Sequence, residues 1–421
     1  MTRKFAVAAL CASSLTMVLA QPALAAPKPG DPIAVGAGFT IDPIIDGRLR
    51  WENVNTPTVD ADAVTIRVRA GAELKHASGI SILAESESTL GILDNFNAFP
   101  FPVATSQRRT QFAVVADPQN IELNRLQVQY KSKPLTLTVG RQRINLDDQR
   151  FVGSVGWRQN EQTFDAVRGE AKFGPITADA TYSIGQRSIF GIDAGPRQGM
   201  GGDFVFLGAG AKLGPVNVKA FSYLLSYDEA FFYGNSSQTY GARATASFPL
   251  APKAKLNLAA SYARQSNYDT NPAIYTADYV AAEAGLAYEG LGVIAGYELL
   301  GGDAAAGKSF QTPMATGHKF NGWADLFLAT PQTLAFGGLQ DIYGGLSYKF
   351  TGVKALPGLN AAVVYHRFDS DYGNVRYGDE WDASIGFKVR NIGLLAKYAS
   401  YNATGFGADT KRFWLQMEFA Y

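Results

Sequence analysis

The chain has 421 residues, and its 38 Lys and Arg against 37 Asp and Glu name no charged partner in bulk. Forty-four Gly, 20 Tyr, 26 Phe and 5 Trp, with only 18% charged residues, exclude a disordered chain. They suit many aromatic-edged strands joined by tight turns.

The first residues read as a secretory signal peptide: Arg3 and Lys4, an apolar run from Phe5 to Ala20, and Ala23-Leu24-Ala25 as the cleavage site. A signal anchor is the alternative, opposed by the helix-breaking Pro22. Removing those 25 residues from 421 would leave 396, without the single cysteine, Cys11, and therefore without disulfides. Loss of Arg3 and Lys4 takes the formal net charge from +1 to −1. No later stretch is long and apolar enough for a helical span, which leaves membrane-crossing strands open.

From about residue 45 to the end the apolar pattern has period 2. In "DAVTIRVRAGAELK", Val64, Ile66, Val68 and Ala70 alternate with Thr65, Arg67, Arg69 and Gly71. "LNRLQVQYK" sets Leu126, Val128 and Tyr130 against Arg125, Gln127, Gln129 and Lys131, and "EWDASIGFKVR" sets Trp381, Ala383 and Ile385 against Asp382 and Ser384, with Lys388 and Arg390 further along the wet register. The chain ends "RFWLQMEFAY", with Phe413, Leu415, Met417, Phe419 and Tyr421 on one face. Short turns such as "KHASG", "KSKP", "KFGP", "KLGP" and "KVRN" take turns with excursions at 91–120, 186–202, 228–238, 266–278 and 402–411. A sandwich also alternates, but this asymmetry is that of an antiparallel, up-and-down transmembrane β-barrel in the bacterial outer membrane, with short periplasmic turns and long external loops.

The count is about 18 strands when 302–340 is treated as one external excursion. "FNGWADLFL" inside it tempts a strand, but counting it makes the total odd, and both ends of such a barrel face the periplasm. Residues 26–421 are thus one domain, and 26–44 are too few for the plug of an energy-coupled receptor.

In a wide barrel the wet register lines a lumen, so its charges set selectivity. Arg67, Arg69, Arg125 and Arg168 fall there, with acids such as Glu85, Glu87, Glu298, Glu380 and Asp382 available as partners. The stretch "GRQRINLDDQRFVGSVGWRQNEQTFDAVR" gathers Arg141, Arg143, Arg150, Arg158 and Arg168 around one loop. Folded inward, it would narrow the lumen, and guanidinium forks match carboxylates. Gln159, Asn160 and Gln162 could then bind hydroxyls, Trp157 could offer a ring face to a sugar, and Asp147 and Asp165 could hold the arginines.

The run "GRQ…RFVG…WRQNEQTFDAVR", with "FQTPMATGHKFNGWADLFLATP" and "GLQDIYGGLSYKF", resembles the alginate-export family of outer-membrane porins. The resemblance implies a monomeric 18-stranded barrel with an arginine-rich constriction that passes a linear polyuronate outward, in company with periplasmic export scaffold proteins. It places Arg141, Asp165 and Arg168 first among the constriction residues. A general or nutrient-uptake porin for small carboxylates or sugars is the other reading.

An enzyme is the rival class, but His76, His318 and His366 have no motif spacing, and no G-x-S-x-G or H-E-x-x-H occurs. Asp147 and Asp148 could hold calcium or be paired by cations. No cofactor signature and no nucleic-acid recognition element is present.

Overall fold

The computed structural model describes residues 31–420, so the signal segment with Arg3, Lys4 and Cys11, and the terminal Tyr421, lie outside the described residues. Eighteen long strands run up and down among those residues. They are β1 (Phe39–Asn55), β2 (Asp60–His76), β3 (Ile80–Asn95), β4 (Asn120–Lys131), β5 (Leu135–Gln142), β6 (Thr163–Phe173), β7 (Ile176–Arg187), β8 (Gly199–Leu213) and β9 (Val216–Tyr227). There follow β10 (Ser237–Ala251), β11 (Ala254–Asn267), β12 (Thr276–Tyr288), β13 (Leu291–Leu300), β14 (Leu339–Lys349), β15 (Asn360–Asp369), β16 (Arg376–Val389), β17 (Ile392–Ala403) and β18 (Thr410–Ala420). Each is antiparallel to the next, and β1 also pairs with β18, from Asp46↔Ala420 to Asn55↔Lys411. That pairing closes the sheet and leaves no long edge, as hydrocarbon demands of any spanning strand.

The alternation sorts the side chains. Leu90, Ile121, Val139, Val167, Leu346 and Trp381 point outward and are each more than half exposed. So continuous an apolar girdle belongs against lipid. Thr65, Arg67 and Arg69, the alternate residues of β2, are buried on the lumen side, as are Glu85 and Glu87 on β3 and Asp382 on β16. A bulge in β4, where Glu85↔Arg125 is followed by Ser86↔Leu123, brings Asn124 and Arg125 together at Glu85. Arg390 departs from the expected register: it lies in a turn with φ 55°, at the strand end and not on the lumen wall.

Connections at one rim are two or three residues, at 77–79, 132–134, 174–175, 214–215, 252–253, 289–290 and 390–391, with 350–359 the one longer exception. Those at the other are 56–59, 96–119, 143–162, 188–198, 228–236, 268–275, 301–338, 370–375 and 404–409. "FNGWADLFL" is loop. Asn321 (φ 55°), Gly322 (φ 83°) and Asp325 (φ 62°) take left-handed backbone, which a pleated strand excludes. Gly322 is required there, since a Cβ would fall 2.4 Å from the Glu380 carboxylate.

Candidate functional site: a lumen narrowed by two inward loops

Loops 143–162 and 301–338 turn into the barrel because their apolar residues have a core to join. Ile144, Leu146 and Val152 from the first, and Phe310, Met314 and Phe327 from the second, are buried with Phe164, Phe206, Tyr223 and Tyr279 of the wall. Phe151 sits 5.2 Å from both Phe221 and Tyr279. The loops are also hydrogen-bonded to each other: Gly153 N donates to Met314 O (2.9 Å), and Gln162 Nε2 donates to Gly153 O (2.8 Å) and Met314 O (3.0 Å). Loop 96–119 packs separately, with Phe96, Phe99 and Val115 against Val54, Ala61 and Ala63.

Ion pairs pin these loops to the wall. Arg158 reaches Glu52 of β1 (3.1 Å), Asp117 (3.7 Å) and Asp325 (2.6 Å), all four side chains being buried. Burial acts to lower the Arg158 pKa, but the three carboxylates outweigh it and raise it above its ordinary value, so the guanidinium stays charged. Arg150 donates to Glu298 (2.6 Å), Thr312 and Asn321. There too burial is overcome by the neighbouring carboxylate. Glu161 binds Arg69 (2.7 Å) and Arg143, while Arg69 also pairs with Glu87 (2.5 Å) and Arg125 with Glu85 (2.6 Å). Burial would push the Glu161 carboxyl up, and Arg143 and Arg69 hold it below its usual range instead.

A chain of contacts continues to β17. His318 stacks on Trp157 with ring centroids 4.4 Å apart and planes 4° apart. Its Nδ1 lies 2.8 Å from Asp325 Oδ1 and its Nε2 lies 2.8 Å from Lys397 Nζ. Burial and the Lys397 charge push the His318 pKa down to about 3, so the neutral ring donates from Nδ1 to Asp325 and accepts at Nε2 from Lys397. The Lys397 ammonium lies 4.1 Å from the Trp157 ring centre and 3.7 Å from that of Trp323. Trp323 and Ala324 are fixed by their backbone N–H groups, which donate to Asp382 (3.2 Å) and Glu380 (2.7 Å).

The geometry corrects several sequence expectations. Arg141 and Asp165 bind each other through two bonds of 2.8 and 2.9 Å, but on the outer surface. They share the register of Leu126, Val139 and Val167, which face lipid, whereas Thr138 and Arg168 one residue over face the lumen. Arg168 pairs with Glu170 (2.9 Å), and Arg67 pairs with Asp46. Gln159 and Asn160 present no amide to a solute: Gln159 Nε2 donates to Thr65, and Asn160 Nδ2 donates to the carbonyls of Pro118 and Ile189. Asp147 binds Lys219 (3.2 Å) and does not hold the arginines of the loop, whereas Asp148 is arginine-paired, to Arg243 (2.7 Å), and accepts from the Arg150 backbone N–H (3.2 Å). Among the described residues no cluster of three or more metal-ligating side chains forms.

Space remains on the other side of the lumen. A cavity of about 440 Å³ lies between the loops and the wall from β10 through β18 to β1. Four cations line it, Arg48, Arg243, Lys319 and Lys397, with the acids Asp148, Glu283, Glu298, Asp341 and Glu418. Trp157 is the one residue of the expected constriction that reaches this lining, but its ring is taken up by His318, by Arg50 at 4.0 Å and by Lys397 at 4.1 Å from the ring centre and is not held out to a sugar. Lys397 falls on the inward register that alternation gives it, whereas His318, Trp323 and His366 were not expected there, and of these only His366 had an inward parity that could have signalled it.

Comparisons with known proteins agree with this architecture. The alginate-export family model matches residues 92–184, the segment that holds β4 to β6 and the first inward loop. No curated protein matches the chain. Among solved structures, OpdG (OccK9) of Pseudomonas aeruginosa is similar with a TM-score of 0.69 at 13% identity over 90% of this chain and 98% of its own. OpdK of the same organism, solved with vanillate, gives 0.68 at 12% over 90% and 98%. OccAB4 of Acinetobacter baumannii gives 0.67 at 11% over 94% and 100%. The chain is therefore a bacterial outer-membrane β-barrel of the porin fold that resembles the alginate-export family through the segment carrying its first inward loop.

Proposed function

We propose that the protein is a passive channel, not an enzyme, for small solutes that bear a single carboxylate, such as sugar acids and aromatic acids. The observation that carries this reading is the narrowing of the lumen by two loops pinned through buried ion pairs. A cavity of about 440 Å³ lined by Arg48, Arg243, Lys319 and Lys397 remains. It has room for a small acid with part of its hydration, and its mixed charges give weak, multi-site contacts that let a solute leave. Vanillate, present in the OpdK structure, is a monocarboxylate of this size class. Most of the expected constriction arginines serve here by setting the field and the loop position, because their forks are already engaged by carboxylates.

Swelling of liposomes holding the reconstituted barrel tests the reading. Glucuronate is expected to enter readily and oligouronates of increasing length to be excluded; equal entry of a long oligouronate would overturn it. The match over residues 92–184 favours a second reading, passage of a polyuronate with the loops displaced and with periplasmic scaffold partners.

A further inference from the structure

Most charges around the cavity cancel in pairs. Arg48 faces Glu418 (3.2 Å), Arg243 faces Asp148 (2.7 Å), Arg150 faces Glu298 (2.6 Å) and His366 faces Asp341 (3.0 Å). Glu283 on β12 differs. It lines the same cavity, half-buried, and the charges of Arg243 and Lys319 in that lining act on it without closing on it as Arg48 closes on Glu418. Its Oε2 accepts a hydrogen bond of 2.7 Å from the Tyr343 hydroxyl, which comes from two strands away.

The residue between them explains how that reach is possible. Glu283 is opposite Gly296 on β13, and Gly296 is opposite Tyr343 on β14. A Cβ at position 296 would fall 2.2 Å from the Tyr343 ring, so only glycine lets the phenol lie across β13 to the carboxylate. On the other side Glu283 faces Ala259, too small to cover it. The carboxylate is thus both oriented and left open to the lumen.

We propose that Glu283, held by Tyr343 across Gly296, is a specificity-determining residue that slows solutes with two or more carboxylates relative to those with one. This rests on the channel reading above. A unit charge several ångströms from the solute in a water-filled lumen, offset in part by Arg243 and Lys319, is worth up to about threefold in local concentration per unit of solute charge.

The test compares gluconate with glucarate, which have the same carbon skeleton and one or two carboxylates, in liposome swelling. Wild-type protein is expected to admit gluconate faster. Glu283→Gln should raise glucarate entry up to about threefold relative to gluconate and move the reversal potential in a KCl gradient toward chloride. Glu283→Asp, which keeps the charge, should preserve the discrimination, and retention of heat-modifiable mobility on gels would establish that each variant folds. An unchanged gluconate-to-glucarate ratio in folded Glu283→Gln overturns the inference while leaving the channel standing. Wild-type liposomes that admit neither solute overturn the channel reading and this inference with it.

Discussion

Replacing Arg158 by methionine removes one guanidinium from among three buried carboxylates. Glu52 keeps Arg412 at 2.9 Å and Asp117 keeps Arg50 at 3.4 Å, but Asp325 is left with only His318. The uncompensated charge therefore falls on loop 301–338. Removing one partner of a buried pair costs roughly 3–5 kcal/mol. If loop docking bears that cost, the undocked fraction rises by about 140- to 3,700-fold, at a factor of ten per about 1.4 kcal/mol. The barrel wall, with its complete ladder of strand hydrogen bonds, should survive. Trypsin cleavage after Lys319 in protein embedded in liposomes reads the undocked population when reclosing is faster than cleavage. Single-channel current should become noisier and larger in the same variant. Cleavage at the wild-type rate, with the barrel still heat-modifiable, would show that the aromatic cluster around Phe151 and Phe327 holds the loops without help from the ion pairs.

Three further outcomes are expected. The docked loop should loosen on acidification: His318, with its pKa held near 3, favours folding fully above about 6.5 and loses that contribution, about 1.4 kcal/mol per pH unit, as pH falls toward 3. Asp325, held below its ordinary range by His318 and Arg158 against the effect of burial, adds a loss below about 4, so trypsin sensitivity should climb between pH 6.5 and 3 in wild type and less steeply in His318→Gln. Arg141→Ala should leave ion selectivity unaltered, whereas Arg48→Ala, at the cavity, should shift the reversal potential toward cations; the opposite ranking would refute the assignment of Arg141 to the outer face. Val139→Arg, on the lipid-facing register, should destabilise the barrel by about 2–4 kcal/mol at mid-membrane depth, read as a lower temperature for loss of heat-modifiable mobility.

The barrel was legible because period 2 is a local property. Val64 to Arg69 and Leu126 to Lys131 announce their faces within six residues, and the alternation of short and long connections orders the strands. The loops were not legible in that way. The inward turn of "RFVGSVGWRQNEQ" depends on Phe151 and Val152 meeting Phe221, Tyr279 and Met314, contacts between segments far apart in the chain. Arg141 looked like a pore residue because it belongs to an arginine-rich stretch, yet its parity with Val139 places it outside. That parity was readable and outweighed the composition. Arginine pairing was visible only as a possibility, since the partners of Arg158 come from β1 and from two different loops.

The pairing of Asp46–Asn55 with Lys411–Ala420 also bears on how the molecule is made. Strand β1 is synthesised long before its partner β18 and must wait for it, and until they meet both carry a row of bare amides and carbonyls able to recruit any passing strand. So long a separation between partners makes unaided closure slow. Biogenesis of this chain thus calls for an escort that shields one edge until the other arrives, and a product truncated before residue 410 should persist as an open, aggregation-prone ribbon.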